Sequence, residues 1–170
     1  MTWSAGSMQV ALAAGATAVT VVDVNRDRLA RAKQLGATAT AESVDEALEH
    51  LDGRFDVLLE CAGIEAVTNA AIGALRPAAT AVLVGMGPEL DSRLPVAIMQ
   101  AREINLVGTF RYANTYPTAV ALAAAGRVEL DGLVDARFSL EEADQALRAN
   151  RENPALLKVI VDVTSGGRTL

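Results

Sequence analysis

Thr17-Ala18-Val19-Thr20-Val21-Val22-Asp23-Val24-Asn25-Arg26-Asp27-Arg28-Leu29 is the stretch that decides how this 170-residue chain is read. Thr17 to Val22 is uncharged and rich in β-branched residues, the composition of a strand buried on both faces of a parallel sheet. Asp23 ends that run. Asn25 can cap a helix whose Leu29, Ala32 and Leu35 share one face and which Gly36 stops. A carboxylate at the end of such a strand is how dinucleotide-binding folds hold the adenosine ribose, and its charge would repel a 2′-phosphate, so NAD is expected rather than NADP. Arg28 and Arg26 soften that preference, although Arg26 reads more simply as a solvated surface residue. Turn chemistry is the plainer alternative for Asp23. The Gly-x-Gly-x-x-Gly turn that accompanies such a carboxylate should lie about 20 residues upstream. Met1-Thr2-Trp3-Ser4-Ala5-Gly6-Ser7-Met8 stands there instead.

Working outward, strands and helices alternate. Ser4 to Ala14 reads as a helix ending at Gly15, Ala37 to Ala41 as a short strand, and Ser43-Val44-Asp45-Glu46 as a capping box opening a helix to about Leu51. Asp56 to Cys61 is a strand, Glu65 to Leu75 a helix, and Thr80 to Gly85 a strand. A loop, Gly87 to Ser92, then leads to a short helix, Val96 to Glu103. Asn105 to Phe110 is a strand, and Asn114 to Ala125 a helix ending at Gly126. Strands separated by helices imply crossover connections and a parallel sheet. The expected fold is therefore α/β, a doubly wound, Rossmann-like parallel sheet without its first, central strand and glycine-rich turn. In the strand order 3-2-1-4-5-6 that loss leaves two facing edges, those of the Thr17 and Asp56 strands. They could pair directly, be filled by another segment of this chain or a partner, or stay apart. Beyond residue 133 the order changes: Val134 to Phe138, a second capping box at Ser139-Leu140-Glu141-Glu142, a helix to about Asn150 and a strand Leu156 to Val163, with Ser165 to Leu170 as a frayed end.

A formal net charge of −6 and a pI near 4.8 argue against nucleic acid or an anionic membrane as partner, because both select clustered Lys and Arg. The apolar runs are strand-length, and no signal peptide is recognisable. The single cysteine, Cys61, excludes an intramolecular disulfide and suits a reducing compartment, so a cytoplasmic location is expected.

Glycines recur where strands end, at Gly63, Gly85 and Gly87. Ligands of open parallel sheets bind at those ends, and glycine lets backbone approach them; simple turns are the alternative. Zinc needs three or four ligands, and one Cys with one His cannot supply them, so no protein-only metal site is expected. His50 reads as an exposed histidine near a helix end, and Cys61 as a small buried hydrophobe. No set of nucleophile, base and orienter assembles, so no catalytic residue is assigned.

Several stretches resemble the medium-chain zinc alcohol dehydrogenases, in particular their sorbitol and xylitol (polyol) branch. They are Val21 to Leu29 with Ala32 to Ala37, Phe55 to Gly63, Val82 to Gly87, Gly108-Thr109-Phe110-Arg111-Tyr112-Ala113-Asn114-Thr115-Tyr116-Pro117, and Arg137 to Ala143. The resemblance implies that Asp23 binds the adenosine ribose with Arg28 beside it. It further implies that Val84, Gly85 and Met86 line the nicotinamide side of the cofactor, that Thr109, Phe110 and Arg111 continue that wall, and that Arg111 and Tyr112 also reach the hydroxyls of a polyol substrate. Residues 1–133 would be a truncated NAD-binding domain, 134–164 a segment returning to a catalytic domain, and 165–170 a tail. In that family the catalytic domain holds the zinc, which acts as Lewis acid while hydride passes to NAD. This chain would carry the cofactor-binding portion of such an enzyme, inactive by itself, with NAD affinity weak or lost and a homo-oligomer plausible by resemblance. Two other readings stand beside it: a non-catalytic nucleotide-binding or association module, and a class I methyltransferase, which also places an acidic residue on a ribose.

Overall fold

The structure, a computed structural model, describes residues 5–49, 53–88, 91–110 and 113–163. Its elements are α1 (Ala5–Ala13), β1 (Thr20–Val22), α2 (Arg26–Gln34), β2 (Ala39–Ala41), α3 (Val44–Glu49), β3 (Phe55–Glu60), α4 (Glu65–Gly73), β4 (Leu75–Leu83), α5 (Val96–Ala101), β5 (Asn105–Gly108), α6 (Tyr116–Ala124), β6 (Val134–Ser139), α7 (Ala143–Glu152) and β7 (Lys158–Asp162). Every ladder among the described residues is parallel, as expected of an α/β chain.

Local chemistry explains the borders. The Asn25 side chain accepts from the Asp27 and Arg28 amides at 2.9 and 3.1 Å, opening α2, and Gly36, at φ +105°, ends the turn beyond it. Both faces of the Ser139 capping box form: the Glu142 carboxylate accepts from the Ser139 amide at 2.9 Å. The first box closes differently. Ser43 Oγ accepts from the Glu46 amide at 3.1 Å, but the Glu46 carboxylate reaches the Glu42 amide instead, at 2.7 Å.

One strand starts earlier than the sequence suggests. The Thr80 strand begins at Leu75, because Arg76, Pro77, Ala78 and Ala79 are accommodated as an irregularity: Phe55 pairs with Leu75, yet Val57 pairs with Thr80. Pro77 has no amide to donate, Ala78 takes φ +59°, and the Ala78 amide bonds the Arg102 carbonyl at 2.7 Å. The Arg102 guanidinium then accompanies the detour, donating to the Gly73 and Leu75 carbonyls at 2.8 and 2.9 Å.

Among the described residues no strand precedes α1, and the facing edges do not pair. The sheet splits into β2-β1 and β3-β4-β5, with β6-β7 separate. Each half has its own core. Met8, Val21, Leu29 and Ala32 are buried together beside β1, whereas Ile72, Leu75, Ala79, Ala81 and Ile104 are buried around β4. The chain after α6 packs on the first half: Gln9 exchanges hydrogen bonds with the Glu129 backbone at 2.6 and 3.0 Å, and Arg31 Nε donates to the Gly132 carbonyl at 3.1 Å.

Candidate cofactor site

Asp23 follows the last residue of β1. Its amide completes the ladder to the Ala41 carbonyl at 3.2 Å, which fixes the carboxylate at the strand's carboxyl end. Oδ1 accepts from the Asn25 amide at 2.9 Å, a turn role that leaves Oδ2 directed at Arg28. Oδ2 lies 3.5 Å from Arg28 Nη1, and both side chains are largely sheltered, 18% and 13% exposed. Arg28 is thus beside Asp23, as the resemblance implies. Its other donors are spent elsewhere: Nε and Nη2 donate to the Pro154 carbonyl at 3.1 and 2.7 Å. Arg26 stays at the surface, 82% exposed, paired with Glu42 at 2.8 Å.

Across the split, Glu60 ends β3. This carboxylate is buried, 4% exposed, and accepts from the Ala62 and Gly63 amides at 2.8 and 3.0 Å, while its carbonyl accepts from the Val84 and Gly85 amides, both at 2.8 Å. One residue therefore joins the turns after β3 and β4. The glycines there serve the same junction. A Cβ on Gly63 would lie 2.5 Å from the Met86 carbonyl carbon, and one on Gly85 2.5 Å from the Gly63 nitrogen. Their smallness lets the two loops touch each other, a demand that neither a ligand approach nor a simple turn describes. Sequence reading missed Glu60; the available signal was a charged residue closing an apolar strand immediately before Cys-Ala-Gly.

Val84, Gly85 and Met86 follow β4, and Thr109 and Phe110 follow β5, with the Thr109 amide bonded to the Leu83 carbonyl at 3.1 Å. Met86 and Phe110 are 70% and 71% exposed. Asp23 follows the carboxyl end of β1, and Glu60, Val84 and Thr109 mark the carboxyl ends of the parallel strands β3, β4 and β5, the kind of position where ligands of parallel sheets bind. Arg111 and Tyr112 lie outside the described residues, as does His50.

Between the two halves runs a cavity of about 220 Å³, lined mostly by apolar side chains of β1, β3, α3 and α4. Ser7 and Met8 of α1, with Asp23, Arg28, Glu60 and Cys61, line it as well. Cys61 donates to Ser7 Oγ at 3.8 Å. Burial pushes the thiol's pKa up, the Ser7 hydrogen bond opposes that, and the Glu60 charge adds to it, so the sulfur is held as a neutral thiol. The arrangement can accept ribose hydroxyls at Asp23 and present backbone along the ends of β4 and β5. It does not fit zinc: among the described residues no three His, Cys, Asp or Glu side chains gather.

The sequence profile of zinc-binding dehydrogenases matches residues 5–125. The chain is 38% identical over 145 residues to the sorbitol dehydrogenase of Gallus gallus, covering 81% of this chain and 41% of that one. Among solved structures it resembles an alcohol dehydrogenase zinc-binding domain protein from Burkholderia ambifaria (TM-score 0.81, 30% identity, 94% of this chain and 45% of that one). It also resembles L-idonate 5-dehydrogenase from Escherichia coli (TM-score 0.81, 26% identity, 93% and 46%). The chain thus spans less than half the length of these relatives. By these matches and by its parallel α/β architecture, the chain belongs to the zinc-binding dehydrogenase family.

Proposed function

We propose that this chain is the cofactor-binding portion of an NAD-dependent polyol dehydrogenase and is inactive in isolation. The observation that carries the reading is the Asp23 carboxylate at the carboxyl end of β1, lining one cavity with Glu60 at the end of β3. Asp23 accepts the ribose hydroxyls and disfavours a 2′-phosphate, while Arg28, 3.5 Å away, orients the carboxylate. Val84, Gly85, Met86, Thr109 and Phe110 form the wall on the nicotinamide side, continued by Arg111, and Arg111 with Tyr112 meets the polyol. When bound, NAD supplies the hydride acceptor. Residues 1–133 form the cofactor domain and 134–164 the segment that returns toward a catalytic domain. A cytoplasmic setting fits the single thiol, and association into a homo-oligomer fits the resemblance.

The split sheet limits affinity, because Asp23 and the wall belong to halves that no ladder among the described residues connects. Calorimetric titration of the chain with NAD tests this. Weak binding, with NADP weaker still, is the expected result; low-micromolar binding by the isolated monomer overturns the isolation claim. Binding of S-adenosylmethionine with no response to NAD overturns the dehydrogenase reading itself.

A further inference from the structure

We infer that Glu42, at the carboxyl end of β2, is a second determinant of cofactor choice: it engages Arg26, the cation able to receive a 2′-phosphate, and so reinforces the preference for NAD set by Asp23. The inference rests on the cofactor reading and adds a residue to it. The β1-β2 ladder pairs Val22 with Ala41, and the Asp23 amide bonds the Ala41 carbonyl at 3.2 Å. The next rung therefore sets Asp23 beside Glu42, with their backbones about 5 Å apart. A ribose held by its hydroxyls at Asp23 brings any 2′-phosphate to this rung.

Two guanidinium groups lie at this corner, and they are not equivalent. Arg28 is sheltered, and each of its nitrogens faces an acceptor: Nε and Nη2 the Pro154 carbonyl, Nη1 the Asp23 carboxylate. It cannot turn to a phosphate without releasing the chain after α7. Arg26 opens α2 directly after the Asn25 cap, and its only partner among the described residues is Glu42, Nε to Oε1 at 2.8 Å, with the side chains 82% and 46% exposed. A pair this exposed contributes little to stability and exchanges partners readily. Its consequence is one of charge. The Glu42 carboxylate offsets the cation that a phosphate would seek, and it presents a second anion on the rung next to Asp23. Glu46, whose carboxylate accepts from the Glu42 amide at 2.7 Å, adds charge of the same sign.

The test reads a ratio of affinities, which suits weak binding: the whole chain is titrated with 5′-AMP and with adenosine 2′,5′-bisphosphate and followed by ligand-observed NMR. In the wild-type chain 5′-AMP binds the more tightly. Glu42→Ala should shift the ratio toward the bisphosphate by about fivefold to tenfold, the scale of gaining one exposed cation and losing one like charge, and the shift should fade as salt is raised. Adding Arg26→Met to Glu42→Ala should return the ratio close to its wild-type value. Glu42→Gln, which keeps an acceptor for Arg26 but not the charge, should give a smaller shift in the same direction and decides the matter if Glu42→Ala fails to fold. An unchanged ratio overturns the inference. So does a gain that survives Arg26→Met, because Glu42 would then act without Arg26. In both cases binding of 5′-AMP leaves the cofactor reading standing, whereas binding of neither nucleotide overturns that reading and this inference together.

Discussion

The two halves on either side of the cavity are built unequally. The β3-β4-β5 half encloses Ile72 and Leu75 completely and ties its strand ends together through Glu60 and through glycines that permit backbone contact. The β2-β1 half has two strands of three residues each and takes support from the chain beyond α6, through Gln9, Arg28 and Arg31. The wall proposed for the nicotinamide side therefore sits on a self-supporting sheet. Asp23, proposed for the ribose, sits on one whose order is partly borrowed, and a cofactor spanning both would have to hold them in register.

The sharpest way to break this comparison is at the loop junction. Gly63→Ala places a Cβ 2.5 Å from the Met86 backbone at φ +65°, where clash and left-handed strain add to roughly 4 kcal/mol. Gly15→Ala, in the other half, has φ +103° with open space around it and should cost only about 1 kcal/mol. Urea unfolding of the two variants measures the difference; equal losses would mean the junction is not what secures the second half.

Glu60→Ala comes next. It orphans the amides of Ala62 and Gly63 in a buried setting, and about 2 kcal/mol is expected from the lost charged acceptor. Native-state hydrogen exchange should show those amides and the Val84 turn opening more readily while β1 and β2 keep their protection. Uniform loss across both halves would show that they unfold as one unit.

Arg28→Met inverts the pattern. Its guanidinium bridges Asp23 and the Pro154 carbonyl, so roughly 1 kcal/mol is expected, felt around Asp23 and residues 153–156 rather than in β3 to β5. Exchange rates of the Ala155 and Asn25 amides are the measurement. If neither moves, the first half does not depend on the C-terminal segment through this residue.

What the sequence revealed and what it hid divide along the same line. Asn25 as a cap, Gly36 and Gly126 as stops, and Asp23 at a strand end are local facts, written within a few residues of the group they act on. The tie from Arg28 to Pro154 spans 126 positions, and the contact of Gly63 with Met86 depends on two crossovers closing to a common end, so neither leaves a local trace. The β4 start was hidden because Arg76-Pro77 reads as a break, and the Arg102 carbonyl and guanidinium that support the detour lie far along the chain. The split itself could be posed from strand order but not chosen, since pairing, filling and separation all begin from the same two edges.

The smallest expected effect lies where the halves meet. Cys61, at the end of β3, bonds Ser7 on α1, so its ionisation reports on the closeness of the two halves. Burial raises the folded thiol above its ordinary value of about 8.5. A raised value means that the folded state holds the proton longer. Its contribution to stability is complete below the unfolded thiol's value and is lost as pH rises through the folded one. Alkylation by iodoacetamide at pH 8 should accordingly be slower in the native chain than in urea, with the native rate climbing at higher pH. Ser7→Ala removes the hydroxyl that can turn and donate to the thiolate, so it should slow native alkylation further. Faster alkylation in that variant would mean that Ser7 acts mainly by shutting the cavity, and that the halves part when the bond between them is cut.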